Sequence, residues 1–545
     1  LHPGPNRFKM RQLASMTSKV SSSTLLAEAP VSVPVATVLP RLRVGKLCVA
    51  IQAESAAELI ERATAALADS KFLELRLDSL AKPALALPKV HEFLALHRDT
   101  TVIATCRRQE HGGVFKESLK AELEILAKAA ESGCQIVDLE VESAEEAAPK
   151  QLEQFRERLR TVGAALLVSF HDFSRTKGLE QAAQRIDVFK PDYVKVVSTA
   201  KSLADNLAVL RLIEQRSASA QVVGIAMGEE GIVSRVLGPR AGAEFTFASF
   251  SDGVETAPGQ VTARTMRDLY RVEQLDQATR VFGVAGNPIA HSLSPLMQNT
   301  AFRREGVNAV LLPLKARSVD DLLKLLRELP LAGAAVTMPL KQEVLPHLSN
   351  MNALTSRIGA CNTLRMASDG KLVGFNTDVE GVIRPLEKRL RLKGARVAVL
   401  GAGGAARAAV FGLVEQGAEV FIVNRTHENA VALAKESKAK ALKHEQFAKA
   451  QFDVLINSTP CGMAGSKQHL PIAENELNAG LVFDMVYNPL ETPLLKLARE
   501  RKIPVISGLE MFVQQGARQF EIWTGKPAPE AEMLRVVELE LRKRG

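Results

Sequence analysis

A lysine lies within a β-rich run, Tyr193-Val-Lys-Val-Val197, where an unpaired charge would be costly to bury. In its neutral form the Lys195 amine can attack a ketone and form an imine, and burial near a cation favours that form. Arg235, placed in the loop after the seventh β-rich run, is the candidate cation. An iminium acidifies the adjacent carbon, so His171, at the tip of the preceding run, can serve as base and then as acid. A second, unrelated set follows a seam near Ala278: Ser292, Ser294, Lys341, Asp378 and the turn Gly401-Ala-Gly-Gly404. Paired serine hydroxyls can hold a carboxylate without a buried cation, and a Lys–Asp pair can exchange a proton with a carbonyl or hydroxyl. Plainer readings stand beside these. His171 would be a hydrogen-bonded structural histidine and Lys195 an outward charge. Ser292-Leu-Ser-Pro295 would be a helix N-cap with proline just inside, and Lys341 and Asp378 a surface pair.

The elements that must position the first set repeat regularly. Short β-rich runs occur at 47–51, 72–77, 101–106, 135–141, 165–170, 193–198, 222–227 and 244–249, with amphipathic stretches such as 55–68, 117–132 and 202–216 between them. Eight strand–helix units predict a (β/α)8 barrel over residues 46–275; a doubly wound sheet is the alternative. In a barrel the reactive side chains gather at strand C-termini. Glu74, Arg76, Arg107, His171 and Lys195 all fall at or near such ends.

After a helical linker at about 260–278, a new α/β pattern starts at Val281. Residues 280–385 are expected to form a substrate-binding domain, completed by C-terminal helices over 508–545. Residues 386–507 are expected to form a Rossmann domain. It opens with Val397-Ala-Val-Leu-Gly-Ala-Gly-Gly404, a strand running into a turn where helix N–H groups can meet a pyrophosphate. The next strand ends in Val423-Asn-Arg-Thr426 instead of an acid that would bind a ribose 2′-hydroxyl. Arg425 there can meet a 2′-phosphate, which favours NADP over NAD.

Composition bounds the rest. The 545 residues carry a net charge of +9. Residues 1–50 contribute most of it, with seven Lys/Arg against Glu28 alone, which argues against a nucleic-acid surface elsewhere. No apolar run reaches the ~18 residues of a membrane span. The five cysteines are scattered with no CxxC pair, so neither a disulfide framework nor a zinc site is expected. No metal is expected, and a reducing compartment, the cytoplasm, fits. Residues 1–45 are Ser-rich, basic and acid-poor; they are read as a disordered leader or upstream extension, with a plastid transit peptide as the alternative.

Four motifs in the front half, Glu74-Leu-Arg-Leu-Asp78, Ser169-Phe-His-Asp172, Asp192-Tyr-Val-Lys195 and Thr256-Ala-Pro-Gly-Gln260, resemble those of type I 3-dehydroquinate dehydratases. The resemblance implies that Lys195 forms the Schiff base and that His171 removes the α-proton and assists loss of water. Glu74, Arg76, Arg107, Arg235, Thr256 and Gln260 would hold the substrate. The glutamate that orients the histidine in that family falls on His111 here, with Glu110 one position early, and Thr256 stands where serine is usual. The rear half, from Ala290-His-Ser-Leu-Ser-Pro295 to Asp484-Met-Val-Tyr-Asn-Pro489, is similar to shikimate dehydrogenases. That implies Lys341 and Asp378 as catalytic residues, with Ser292, Ser294, Thr337, Asn362, Tyr487 and Gln515 on the substrate. Gly401, Gly403, Gly404, Asn424, Arg425, Thr426 and Met463 would hold NADP. Together the halves resemble the fused bifunctional enzymes of the shikimate pathway, acting on 3-dehydroquinate and then 3-dehydroshikimate, as monomer or homodimer. A quinate-specific rear half and a non-catalytic regulator are the competing readings. Retention of both serines argues against the first, and retention of Lys195, His171, Lys341 and Asp378 against the second.

Overall fold

The structure, a computed structural model, describes residues 42, 44–329 and 331–544. The leader expected over 1–45 lies almost wholly outside the described residues. Eight strands come first among the described residues: β1 (Leu47–Ile51), β2 (Phe72–Arg76), β3 (Thr101–Thr105), β4 (Ile136–Glu140), β5 (Ala165–His171), β6 (Tyr193–Thr199), β7 (Gln221–Met227) and β8 (Thr246–Ser249). All neighbouring pairs are parallel, in the order β7-β6-β5-β4-β3-β2-β1-β8. Because β1 pairs with both β2 and β8, the sheet curls into a nearly closed barrel, and the doubly wound alternative falls. The helices between the strands start where the sequence supplies caps. Ser55 and Ser118 each accept a hydrogen bond from the N–H three residues on, opening helices Ala56–Ala66 and Leu119–Glu131.

The linker is not one helix. A wide helical turn, Thr265–Leu269, is followed by a short one, Val272–Gln274. Between them Arg271 takes a left-handed conformation (φ 53°), which stops a right-handed helix from continuing.

Two six-stranded sheets follow. The first contains β9 (Arg280–Gly286), β10 (Ala309–Lys315), β11 (Leu331–Val336), β12 (Asn350–Met351), β13 (Thr363–Met366) and β14 (Leu372–Phe375), ordered β10-β9-β11-β13-β14-β12. Its first three strands are mutually parallel, and β13 runs antiparallel to β11 and β14. The second contains β15 (Arg396–Leu400), β16 (Glu419–Val423), β17 (Lys440–Ala441), β18 (Phe452–Asn457), β19 (Ala479–Asp484) and β20 (Val505–Ile506). Its order, β17-β16-β15-β18-β19-β20, is all parallel: the doubly wound dinucleotide-binding arrangement, with its switch point between β15 and β18. Helix Gly508–Thr524 returns to pack on helix Asp378–Glu387, and Trp523 Nε1 donates to Leu364 O on β13 at 3.0 Å. Helix Glu530–Arg544 packs on helix Ser294–Arg304.

Candidate active sites

One cavity in the barrel is lined by all eight residues expected of the front site: Glu74, Arg76, Arg107, His171, Lys195, Arg235, Thr256 and Gln260. Lys195, on β6, is buried; its Nζ lies 2.8 Å from Asp138 Oδ2 and 3.6 Å from Glu74 Oε1, over the Phe247 ring at 4.2 Å. The charges in contact with it are therefore carboxylates, which corrects the expectation that Arg235 would be its partner. Arg235 also lies inside helix Ile232–Ala241, not in the loop before it.

The cations of this cavity differ in what they have left to give. Arg76 is bound by Asp78 through two bonds of 2.9 and 2.7 Å. Arg107 is a hub: Nε donates to Glu140 Oε1 at 2.7 Å, Nη2 to Asp138 Oδ2 at 3.3 Å, and Nη1 to His171 Nε2 at 3.1 Å. Burial works against its charge, but Asp138 and Glu140 outweigh that and raise its pKa. Among the described residues no carboxylate pairs with Arg235. Its Nη2 donates to Pro258 O at 3.0 Å, its Nε is buried without a partner, and burial draws its pKa down to about 10. A buried guanidinium in that condition is built to receive an anion.

His171 ends β5 and stacks on Phe173, with ring centroids 5.9 Å apart. Burial, then the positive charges of Arg107, Lys195 and Arg76, hold its pKa well below the ordinary histidine value, so it is neutral. A guanidinium only donates, so Nε2 accepts and the ring proton sits on Nδ1, which is buried without a partner. Neither His111 nor Glu110 reaches it. His111 Nε2 accepts from Arg108 Nη2 at 3.0 Å, and Glu110 is exposed, 3.4 Å from Arg108 Nη1. The orienting carboxylate is thus missing in space as well as in sequence. Glu110, His111 and Glu146 do bring three ligand-type atoms within 4.8 Å of one another, but Arg108 is bonded to all three and already supplies the positive charge.

Thr256 and Gln260 bond each other, Gln260 Oε1 accepting from Thr256 N at 2.8 Å. Sequence reasoning missed Asp138, Glu140, Thr105 and Phe247. The two acids had a signal: charged residues inside the apolar run Ile136-Val-Asp-Leu-Glu140, the criterion that singled out Lys195. Asp138 stays ionised because Lys195 and Arg107 more than offset its burial. Burial and the adjoining Glu140 raise the Glu122 pKa, against the pull of Arg108 3.2 Å away.

In the rear half, Lys341 Nζ lies 2.6 Å from Asp378 Oδ2. Asn362 Nδ2 donates to Asp378 Oδ1 at 2.8 Å and to Thr377 Oγ1 at 3.1 Å, and Thr377 N donates back to Asn362 Oδ1 at 2.8 Å. Asp378, Asn362 and Thr377 are all buried, so this is an interior network and not a surface pair. Gln519, also missed by sequence reasoning, closes it by donating to Thr363 Oγ1 at 3.1 Å. Ser294 opens helix Ser294–Arg304, but the N-cap is Leu293 and no side chain caps it. The proline does sit just inside the helix as that reading expected, but neither serine is the N-cap, and among the described residues their hydroxyls make one bond, Ser292 Oγ accepting from Ser294 N at 3.3 Å. Thr337 follows β11 directly. Tyr487 stacks on Phe512 with centroids 5.0 Å apart, and Gln515, on the same helix as Phe512, donates to Phe512 O at 2.9 Å. Burial raises the Tyr487 pKa, so its hydroxyl keeps its proton.

At the switch point β15 runs into Gly401, whose φ of 112° and close approach to Ser458 Oγ leave no room for a side chain. Gly403 and Gly404 open helix Gly404–Glu415, and the positions their Cβ atoms would take face open space. That space beside a helix N-terminus fits a pyrophosphate. Arg425, just past β16, is exposed and makes no ion pair among the described residues. Asn424 Nδ2 braces the turn by donating to Thr426 O at 2.9 Å. Met463, in the loop after β18, is half exposed.

A barrel with a lysine buried inside β6, not at its tip as expected, and a neutral histidine at the end of β5, joined to a two-domain dehydrogenase fold, defines a bifunctional enzyme of the lyase–oxidoreductase class. Comparison with known proteins narrows that class. Residues 47–277 match the family described as type I 3-dehydroquinase, and residues 284–364 the shikimate dehydrogenase substrate binding domain. Residues 385–476 match shikimate/quinate 5-dehydrogenase, and 508–538 the shikimate 5′-dehydrogenase C-terminal domain. The chain is 33% identical over 510 residues to the chloroplastic bifunctional 3-dehydroquinate dehydratase/shikimate dehydrogenase of Arabidopsis thaliana, covering 89% of this chain and 82% of that one. It is 41% identical over 276 residues to the shikimate dehydrogenase (NADP(+)) of Methanosarcina acetivorans, covering 48% of this chain and 98% of that one. Against the pentafunctional AROM polypeptide of Yarrowia lipolytica it is 31% identical over 498 residues, 84% of this chain and 30% of that polypeptide. The chain belongs to the family of bifunctional 3-dehydroquinate dehydratase/shikimate dehydrogenases.

Proposed function

We propose that the chain carries out two consecutive steps of the shikimate pathway: dehydration of 3-dehydroquinate to 3-dehydroshikimate, then NADPH-dependent reduction to shikimate. The proposed division is a dehydratase barrel at 46–275, a substrate domain at 280–385 completed by 508–545, and a Rossmann domain at 386–507. The observation that carries the reading is Lys195 buried beside Asp138 in a cavity that also holds neutral His171 and the unpaired Arg235.

In the front half, Arg235 takes the substrate carboxylate, and Thr256, Gln260, Glu74, Arg76 and Arg107 take its hydroxyls. The Lys195 amine adds to the ketone and water leaves, forming the iminium. His171, held neutral, accepts the proton from the adjacent carbon and returns it to the departing hydroxyl, which leaves as water. Hydrolysis of the imine frees Lys195 and the conjugated ketone. In the rear half, Ser292 and Ser294 hold the carboxylate of that product, with Thr337, Asn362, Tyr487 and Gln515 around its hydroxyls. Lys341 delivers a proton to the carbonyl oxygen, and Asp378 holds Lys341 and an adjoining hydroxyl. The nicotinamide, when bound, supplies the hydride. Gly401, Gly403 and Gly404 would admit its pyrophosphate, Asn424, Arg425 and Thr426 would hold the adenosine 2′-phosphate, and Met463 would contribute to the nicotinamide pocket.

The preference for NADP is supported by Arg425, exposed and without an acidic partner where an acid would select NAD. The five cysteines are buried and free, which supports a reducing compartment, and among the described residues no helix is long and apolar enough to cross a membrane.

The test is to measure both half-reactions separately in the full chain. Lys195→Ala should abolish dehydration and borohydride trapping with 3-dehydroquinate while leaving reduction intact, and Lys341→Ala should do the converse. Loss of both activities from either change would refute the assignment of two separate sites.

A further inference from the structure

The rear half touches the barrel on the face that carries the reactive residues. The turn after β7, Gly228-Glu-Glu-Gly231, leads into the helix that holds Arg235. Glu230 Oε1 accepts from Arg317 Nη2 at 2.7 Å and lies 3.5 Å from Lys315 Nζ; the same Nζ is 2.5 Å from Glu229 Oε2. Lys315 ends β10 and Arg317 follows it, so both belong to the reductase half. Glu230 is buried, where a carboxylate is costly unless paired, and these two cations are its partners. From the barrel side, Asn206 Nδ2 holds the Glu230 backbone carbonyl at 2.8 Å.

This turn is also the anchor of the substrate clamp. Gly228 N donates to Pro258 O at 3.0 Å, and the same carbonyl accepts from Arg235 Nη2 at 3.0 Å. Gly259 lies so close that a Cβ there would stand 2.2 Å from Gly228 O. Arg235 and the Thr256–Gln260 loop therefore share one support, and the two residues after it are tied to the other half. A second tie lies beside it. The Asp321 carboxylate accepts from Leu203 N and Ala204 N, both at 3.3 Å, capping helix Asp205–Arg216, whose own N-cap, Ala204, offers no side chain.

We propose that Lys315 and Arg317 of the reductase half are positioning residues for the dehydratase. They hold the Glu229–Glu230 turn so that Arg235 and the Thr256–Gln260 loop meet the substrate together. The inference rests on the reading of the front half as a dehydratase. Neither residue touches a reacting atom; both act through Glu230 and Gly228. Loosening the turn lets the clamp drift from Lys195 without altering the amine or His171, so binding suffers before chemistry does.

The experiment compares wild type with the Lys315→Ala/Arg317→Ala double variant in the full chain. The KM for 3-dehydroquinate should rise about fivefold, the size of a lost pair of partly exposed ion pairs. The dehydratase kcat and both reductase constants should stay near wild type, while the unfolding temperature should fall by a few degrees because buried Glu230 loses its partners. The conservative exchange Lys315→Arg/Arg317→Lys should bring KM back. An unchanged KM overturns the proposal, and so does a parallel loss of both activities with a much lower unfolding temperature, the mark of general destabilisation. A wild-type chain that does not dehydrate 3-dehydroquinate would instead overturn the reading of the front half itself.

Discussion

Replacing Arg235 by Met should move stability and activity in opposite directions. Arg235 is 1% exposed, with one backbone acceptor and an orphaned Nε. Burial draws its pKa down from the ordinary guanidinium value to about 10, which corresponds to roughly 3 kcal/mol against the charged form. Methionine removes that charge while keeping much of the stem, so the ligand-free barrel should gain about 1–3 kcal/mol, less whatever the imperfect packing of the thioether costs. The sign has a pH signature. The folded chain sheds this proton at about 10 and the unfolded chain only at the higher, ordinary guanidinium value, so the unfolded state binds more protons between them. Wild-type stability therefore carries a rise across that window that the variant lacks. Catalysis goes the other way. A substrate carboxylate would find no cation, and losing one partner of a buried pair costs about 3–5 kcal/mol, or a fall of about 10²–10³ or more in kcat/KM. Denaturant unfolding of the ligand-free protein, paired with appearance of the conjugated ketone in the ultraviolet, measures both sides. A variant that keeps near wild-type kcat/KM, or that loses stability by several kcal/mol, would refute the view of Arg235 as an anion clamp held in wait.

With His171 in its proposed role as base, its lowered pKa should set the acid side of dehydration. Its base form is lost only as pH falls below that depressed value, so kcat/KM for 3-dehydroquinate should hold steady through the ordinary histidine range near 6.5. A pH–rate profile whose acid limb falls at or above 6.5, and disappears in a His171 variant, would contradict this. Arg425→Ser should raise the KM for NADPH about tenfold with little change for NADH, since only the former carries the phosphate that the guanidinium would hold. Equal losses with both cofactors would place Arg425 outside that contact.

What was legible in the sequence was what depends on spacing along the chain. The eight β-rich runs foretold eight parallel strands because each of the first seven pairs with its neighbour in sequence, the eighth closing back on β1, and the Gly401–Gly404 turn marked a switch point because strand, turn and helix are contiguous. What was not legible was pairing through space. Lys195 is as conspicuous in Tyr193-Val-Lys-Val-Val197 as in the fold. That its partner is Asp138, two strands away, depends on barrel closure and not on sequence distance. The same blindness misplaced Arg235. Its position after β7 suggested a loop cation near the lysine, whereas helix Ile232–Ala241 holds it against the Pro258 carbonyl. In the rear half, Asn362, Thr377 and Asp378 lie close enough along the β13–β14 hairpin for motif reading to find two of the three, while Gln519 returns from the C-terminal helix.

The two sites also differ in how complete they are without substrate, and this follows from their unpaired polar groups. In the rear site Lys341, Asp378, Asn362, Thr377 and Thr363 bond one another, and Gln519 Oε1 at the edge of that network is left unpaired, so substrate enters a network largely formed already. In the front site Arg235 Nε, His171 Nδ1 and Asp138 Oδ1 are buried and unsatisfied. Each such group costs about 1–3 kcal/mol until something pairs it. A substrate that brings a carboxylate to Arg235 recovers part of that cost on binding. One that draws Arg107 Nη1 to its own oxygen also frees His171 Nε2 to act as the base. The carboxylate absent at position 111 would have satisfied Nδ1 permanently. Without it, His171 is held by Phe173 on one face and Arg107 on one nitrogen, and the second hold must be released for Nε2 to take a proton. In this chain the substrate thus completes the front site as well as occupying it, which is why a clamp braced from the other half matters most there.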